Sequence, residues 1–393
     1  MKHLFRSRGG IVCDDLLATE HAFGSLASAV STRRAEGGAV SQTIPTAAER
    51  LRWSTVEQEP TLPDLGVGQR VTHPEFQGME FLHVRAKSLL NEVPAAAGLP
   101  FRWTINVYRG CSHACTYCFS RPSHTWLNLD AGRDFEKVVV VKVNAVERLR
   151  AELRRSSWQG EAVALGTNTD PYQRAEGRYR LTRGVVQTLS DAGNPFSVLT
   201  KGTLVTRDLD ILADAAARGI CTGVSMSIPT LDEQVWRTSE PGTPHPRARM
   251  ETIARLSEAG IPTGVMLAPI LPGMSDSRAQ LDEVIAAAVE AGAGHITPIL
   301  LHLRPGVREV FLPWLAEVRP DLVDAYERWY PRTYAPKAMR DALARRVHRL
   351  IERHGPLRTT STPRLRAPSP AGRVPAPAEE LTPDPDGEQL SLL

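Results

Sequence analysis

Cysteine is scarce in this chain: there are five among 393 residues, an odd number. Three of the five crowd into one short stretch, so a framework of paired disulfides does not hold the fold together. No run of apolar residues reaches the roughly 18 that a membrane-spanning helix needs. Near the N-terminus, Ile11-Val12-Cys13-Asp14-Asp15 interrupts any apolar stretch that a secretory leader would require. An excess of one charge is also missing. The 47 basic and 44 acidic residues leave a formal net charge of +3, which neither requires nor excludes a nucleic-acid partner. A reducing, cytoplasmic location is the expectation. In that setting Cys13 and Cys221 read as unpaired thiols, and Cys221 as a small core residue.

What is present is the run Tyr-Arg-Gly-Cys-Ser-His-Ala-Cys-Thr-Tyr-Cys-Phe, which places Cys111, Cys115 and Cys118 at the spacing Cys-x3-Cys-x2-Cys. Three thiolates can hold three irons of a cubane [4Fe–4S] cluster and leave the fourth open, whereas an electron-transfer cluster normally takes four cysteines. Two plainer readings stand beside it. One is a structural zinc site completed by His113 or His124. The other is three buried cysteines with no ligand. Zinc ligands usually come as two pairs on separate turns, and these three lie on one.

The pattern along the chain is α/β. Residues 1–70 show weak periodicity and read as a loosely ordered extension with a short helix near Ala47 to Trp53. From Pro100 to about Val318 strands alternate with helices. The predicted strands are Arg102–Tyr108, Ala162–Gly166, Phe196–Thr200, Ile220–Ile228, Thr263–Pro269 and His295–Leu301. The predicted helices are Ala145–Arg155, Thr182–Ala192, Arg207–Ala217, Pro246–Ala259, Ser277–Ala291 and Val307–Val318. Helix stops are signalled by Ala192-Gly193, Arg218-Gly219, Ala259-Gly260 and Ala291-Gly292.

Such alternation implies right-handed βαβ units and a parallel sheet. About six units are too few to close an eightfold barrel. No Gly-x-Gly-x-x-Gly follows the first strand, as a doubly wound dinucleotide fold would have it. The expected architecture is therefore a partial (β/α)6 barrel over residues 71–318. A helical cap over 319–354 and a disordered Pro-rich tail over 355–393 follow it.

In open α/β folds, ligands gather at the carboxyl ends of the strands. The cysteine loop follows the first predicted strand. Gly166-Thr167-Asn168-Thr169-Asp170-Pro171-Tyr172-Gln173 follows the second; it suits a charged amino group or a ribose, or else an Asx-type turn closed by Pro171. Lys201 follows the third strand and can face a carboxylate or phosphate, or simply solvent. Ser225 and Ser227 share one face of the fourth, and a polar ligand would partner their hydroxyls. Glu240-Pro241-Gly242-Thr243-Pro244 and Arg249 come after it. Ala268-Pro269-Ile270 offers an apolar wall suited to an adenine, and the sixth strand ends near His302 and Arg304.

These segments resemble the spore photoproduct lyase-like (DNA repair photolyase-like) branch of the radical S-adenosylmethionine (SAM) superfamily, in an actinobacterial-type subfamily. The resemblance runs from about Met79 to Arg319. It rests on Pro100-Phe101-Arg102-Trp103, the cysteine loop, Asn168 to Gln173, Thr200-Lys201, Ser227-Ile228, Glu240-Pro241 and Ala268-Pro269-Ile270.

It implies a [4Fe–4S] cluster on Cys111, Cys115 and Cys118. It also implies SAM as cosubstrate, reductive cleavage to a 5′-deoxyadenosyl radical, and hydrogen abstraction from a nucleic-acid or nucleotide-like substrate. A low-potential donor of the flavodoxin or ferredoxin type is implied as electron source. Lys201 and Ser227 are then contacts to the amino-acid part of SAM. Asp170 is expected near its amino group or ribose, and Tyr117 beside the adenine. The lyase of that branch returns a hydrogen atom from a cysteine and a tyrosine, where this chain has Thr167 and Phe119.

The last residues, Gln389-Leu390-Ser391-Leu392-Leu393, resemble the short peptide with which bacterial repair proteins dock on the DNA sliding clamp. Two alternatives to a radical enzyme stay open at this point. One is a zinc-stabilised nucleic-acid-binding module, the other a cluster-bearing repair accessory recruited to the clamp.

Overall fold

In the computed structural model, residues 53–54, 69–94, 99, 101–355 and 357 are described. The expected disordered tail, apart from Gly355 and Leu357, and most of the N-terminal extension with its expected short helix near Ala47 lie outside them. Two sheets organise the chain. Strands β1 (Trp53–Ser54) and β2 (Arg70–Val71) each pair antiparallel with β3 (Glu80–Ala86). Trp53 is thus in a strand, not at the end of a helix, because Ala86 and Arg85 present it a strand to pair with.

β4 (Asn91–Glu92) runs antiparallel to β5 (Trp103–Ile105) and opens the second sheet. The chain then crosses back. β6 (Tyr108–Arg109) pairs antiparallel with β7 (Val138–Lys142), and β7 lies parallel to β3.

From there the chain alternates as expected. Strands β8 (Val163–Leu165), β9 (Phe196–Thr200), β10 (Thr222–Ser227), β11 (Thr263–Ile270) and β12 (His295–Leu300) follow one another. Each is parallel to its predecessor, and β8 is parallel to β5, so the sheet order is β12-β11-β10-β9-β8-β5-β4. Six sequential parallel strands with open edges form the partial (β/α)6 barrel.

The helices are α1 (Arg133–Lys137), α2 (Ala145–Leu153), α3 (Glu176–Tyr179), α4 (Leu181–Asp191) and α5 (Leu209–Ala217). They continue with α6 (Glu233–Ser239), α7 (Pro246–Glu258), α8 (Arg278–Glu290), α9 (Arg308–Val318), α10 (Val323–Trp329) and α11 (Lys337–His354). The barrel helices stop within a residue or two of the expected Gly pairs. α11 packs on α8 and β12, covering the open edge of the sheet with Leu343, Val347 and Leu350.

Three further features differ from the sequence reading. The first strand is not continuous over Arg102–Tyr108: it breaks after Ile105. Asn106 accepts the Asn168 N–H at 2.9 Å and donates to the Thr167 hydroxyl at 3.3 Å, tying the chain to the end of β8 where it changes sheets. The second sheet was not foreseen at all, although the four valines of β7 are entirely buried. Cys221 is disulfide-bonded, not a free thiol. It packs in a small core with Val93, Phe101, Ala162 and Ala164.

Candidate functional site

The cysteine loop begins where β6 ends and hangs between the two sheets. Gly110 has φ +85°, and a Cβ there would meet the Val138 carbonyl at 2.7 Å, so only glycine lets the loop leave the strand this closely. The Cys111 N–H then donates to the Phe135 carbonyl at 3.0 Å. Arg121, fully buried, donates from Nε to the Cys115 carbonyl at 3.0 Å and from Nη1 to the carbonyls of Ala131 and Gly132 at 3.0 Å each. It also pairs with Glu136. Gln173 accepts the Ser112 N–H and donates to the Gly110 carbonyl, both at 3.0 Å, while Thr169 donates to that same carbonyl at 2.7 Å. The polar segment after β8 therefore braces the backbone on both sides of Cys111.

The three cysteines line a cavity at the carboxyl ends of the barrel strands, together with His113, Tyr117, Asp170, Thr200, Lys201 and Ser227. Its other wall is apolar, from Met266, Ala268, Pro269, Ile299 and Leu301, with His302 at its edge. Burial lowers the His302 imidazole to about 4, so it is neutral near pH 7.

Lys201, at the end of β9, donates to the Ser227 hydroxyl at 2.7 Å and to Glu240 at 2.9 Å. The Ser227 hydroxyl in turn donates to the Ala268 carbonyl at 2.7 Å. Tyr117 donates to the same Glu240 oxygen that Lys201 reaches. The other Glu240 oxygen accepts from Arg249 and Thr243. Burial pushes the Glu240 carboxyl up, but the Arg249 and Lys201 charges outweigh it and hold it at about 2.

Asp170 is nearly as enclosed. Its oxygens accept from the Thr200 hydroxyl and the Lys201 N–H at 2.6 Å each, and from the Tyr172 N–H at 2.8 Å, which is the Asx-type turn. His113 Nδ1 lies 3.3 Å from Asp170. Burial raises the Asp170 carboxyl, but the His113 contact and the hydrogen bonds from the Lys201 N–H and the Thr200 hydroxyl outweigh it, so the net shift is downward.

The expected site residues thus meet on one cavity, but several have protein partners where a ligand was expected. Ser225 shares a hydrogen bond with His295 at 3.2 Å, and Ser227 is partnered by Lys201 and Ala268, so neither hydroxyl needs a ligand. Tyr117 lines the cavity with its hydroxyl committed to Glu240. The Glu240–Arg249 pair and the Arg121 brace were not assigned from sequence. Glu240 and Arg249 were visible after the fourth strand, but nothing in the sequence showed what they face.

Thr167 and Phe119 line an adjoining polar groove that shares Phe119 and Ser120 with the cavity. Arg109, Lys142, Arg304 and Trp126 also line it. Trp126 is 57% exposed, and the Arg109 guanidinium lies 5.4 Å from its ring centroid.

The donor set fits a cubane better than zinc. Among the described residues, no three His, Cys, Asp or Glu side chains converge on one metal-ion position, as a tetrahedral zinc requires. His113 faces Asp170, and His124 Nε2 is hydrogen-bonded to the Val138 carbonyl at 2.9 Å. A cubane takes each thiolate on a different iron, and the Ser112 and Thr116 hydroxyls beside Cys111 and Cys115 are buried without a protein partner. Burial pushes the thiols of Cys111 and Cys115 well up, so a metal bound there would have to displace their protons.

Comparison with known proteins agrees with this chemistry. The family model described as the radical SAM superfamily matches residues 105–285. A Mycobacterium tuberculosis protein, known as the uncharacterized protein Rv2578c, is 48% identical over 296 residues, covering 75% of this chain and 87% of its own length. The uncharacterized protein MJ0683 of Methanocaldococcus jannaschii is 26% identical over 200 residues, 50% of this chain and 70% of its own. Spore photoproduct lyase complexed with dinucleoside spore photoproduct shares the fold at a TM-score of 0.54 and 17% identity, over 70% of this chain and 80% of its own. The chain belongs to the radical SAM superfamily.

Proposed function

We propose that the protein is a radical SAM enzyme, with a [4Fe–4S] cluster on Cys111, Cys115 and Cys118 and SAM bound across the cavity. The observation that carries this reading is the placement of the three thiols on the same cavity as Lys201 and Ser227. Held by Cys111, Cys115 and Cys118 and reduced by a flavodoxin- or ferredoxin-type donor, the cluster would supply one electron to SAM, whose C5′–S bond would break to give methionine and a hydrogen-abstracting 5′-deoxyadenosyl radical. The chain's own residues do the rest. Lys201 uses two of its three ammonium donors on Ser227 and Glu240 and keeps one for a ligand carboxylate. Pro269, Met266 and Ile299 give an adenine an apolar face and keep water from it.

Anaerobic reconstitution with iron and sulfide, reduction and addition of SAM test the proposal. A brown protein with about four irons per chain and release of 5′-deoxyadenosine are expected. A colourless protein holding one zinc and forming no 5′-deoxyadenosine would refute it.

The substrate reading is a nucleic acid or nucleotide-like molecule in the adjoining groove. Its cations Arg109, Lys142 and Arg304 suit phosphate, and Trp126 suits a stacked base. Repair by the route of spore photoproduct lyase is not proposed. Among the described residues lining cavity and groove, the only cysteines are the three of the loop. A threonine O–H is too strong a bond to return hydrogen in place of a thiol. Docking on the DNA sliding clamp through Gln389, Leu390, Ser391, Leu392 and Leu393, which lie outside the described residues, remains a proposal too. Deleting those five residues should abolish clamp pull-down, and unchanged pull-down would remove the idea.

A further inference from the structure

Glu240 is 1% exposed, and its carboxylate ties two remote parts of the chain to its own neighbourhood. One oxygen holds Tyr117, from within the cysteine loop, and Lys201, from the end of β9. The other holds Arg249, from α7, and Thr243, from the turn before it. Arg249 is fully buried and passes the connection on: Nη1 donates to the Ser227 carbonyl at 2.9 Å, and Nε to the Pro244 carbonyl at 2.9 Å.

The backbone makes the same junction. The Thr116 N–H donates to the Ser239 carbonyl, and the Gly242 N–H to the His113 carbonyl, both at 3.0 Å. Glu240 thus sits where the cysteine loop, β9 and β10 meet.

Charge and geometry say what this junction does. Two cations, Lys201 and Arg249, face one carboxylate, which leaves one positive charge in the network. Arg249 is enclosed, so the surplus is presented at Lys201, the member that lines the cavity. Glu240 and Ser227 take two of the three Lys201 donors from fixed directions, and this sets where the third can point. A free lysine side chain loses substantial rotamer entropy when a ligand orders it; a pre-anchored one does not.

We propose that Glu240 is a positioning residue. It anchors Lys201 to the cysteine loop so that the remaining ammonium donor meets the carboxylate of SAM, and the preference for a carboxylate-bearing ligand depends on it. This rests on the SAM reading above and assigns Glu240 a task that Lys201 alone does not perform.

The test compares SAM with decarboxylated SAM, which lacks only that carboxylate. Both are titrated calorimetrically into anaerobically reconstituted, unreduced protein, with iron and sulfide assayed on every sample. Wild type should prefer SAM; Lys201→Ala should reduce the preference at least tenfold, the remainder being the share that the open iron itself takes from the SAM carboxylate. Glu240→Gln, which keeps the shape but puts an amide N–H against a cation, should reduce the preference at least tenfold with cluster content unchanged. Glu240→Asp keeps the buried charge but draws the carboxylate back by one methylene. It should reduce the preference at least threefold, and it serves if the glutamine variant does not fold. An unchanged preference in Glu240→Asp, or equal loss of both ligands in Glu240→Gln with cluster intact, overturns the proposal. Failure of wild type to bind SAM at all overturns the SAM reading instead, so the two failures are distinguishable.

Discussion

At the scale of single residues, Glu240 ties stability to pH. It is a buried carboxylate that two cations hold at about 2, below the ordinary value of 4.5. Its ionised form stabilises the fold above about pH 4.5, and that contribution is lost as pH falls through about 2; a shift of this size corresponds to about 3 kcal/mol. Removing one member of a buried pair leaves the others uncompensated and costs about 3–5 kcal/mol. Glu240→Gln is therefore expected to be less stable than wild type by that amount in urea denaturation at pH 7. The gap should narrow as pH falls from about 4.5 towards 2. A gap that stayed constant through that range would mean the carboxylate is not held in its ionised form. Arg121 works by a different principle at the same scale. It places five N–H donors on backbone carbonyls and one carboxylate, so the shape of the cysteine loop is set by protein groups.

At the scale of elements, the decisive contact is between two loops. The turn after α6 lies so close to the cysteine loop that a Cβ on Gly242 would fall 2.1 Å from the Ser112 carbonyl oxygen and 2.9 Å from the His113 Cα. Both neighbours are backbone and cannot rotate away. Gly242→Ala should force the loops apart at a cost of about 1–3 kcal/mol. Iron and sulfide retained after desalting should then fall severalfold. Gly177→Ala is the control, since a Cβ there meets only Leu204 Cδ1 at 3.9 Å, and it should retain metal as wild type does. Equal retention in both variants would show that this close approach does not hold the loop.

At the scale of the whole molecule, the open barrel depends on what covers its edge. α11 lays Leu343, Val347 and Leu350 against α8 and β12, and His354 reaches Asp282 at 2.7 Å. Val347→Asp puts a charge where the side chain is 1% exposed and packed in the apolar core. A loss of about 3 kcal/mol or more, read as a lower melting temperature, is expected. Arg349→Gln, on the exposed face of the same helix, should stay within about 0.5 kcal/mol. No helix among the described residues is long and apolar enough to cross a membrane.

Local chemistry carried much of the sequence reading. The Phe196–Thr200 strand and the helix stops at Gly193, Gly219, Gly260 and Gly292 were legible because apolar runs and Gly pairs act over a few neighbouring residues. The spacing of Cys111, Cys115 and Cys118 is local in the same sense, and so was the alternation that gave the six parallel strands. The second sheet was not legible. β3 and β7 pair across more than fifty intervening residues, and a buried valine run does not announce its partner. The site divides in the same way. The sequence by itself determined which residues end the strands and that three thiols share one loop. Only the tertiary structure decided that Tyr117 and Glu240, 123 positions apart, share a hydrogen bond, and that Lys201 is anchored beside the thiols. The physical reason is that burial makes a charge seek its counter-charge in space, and the chain order between them leaves no trace of that choice.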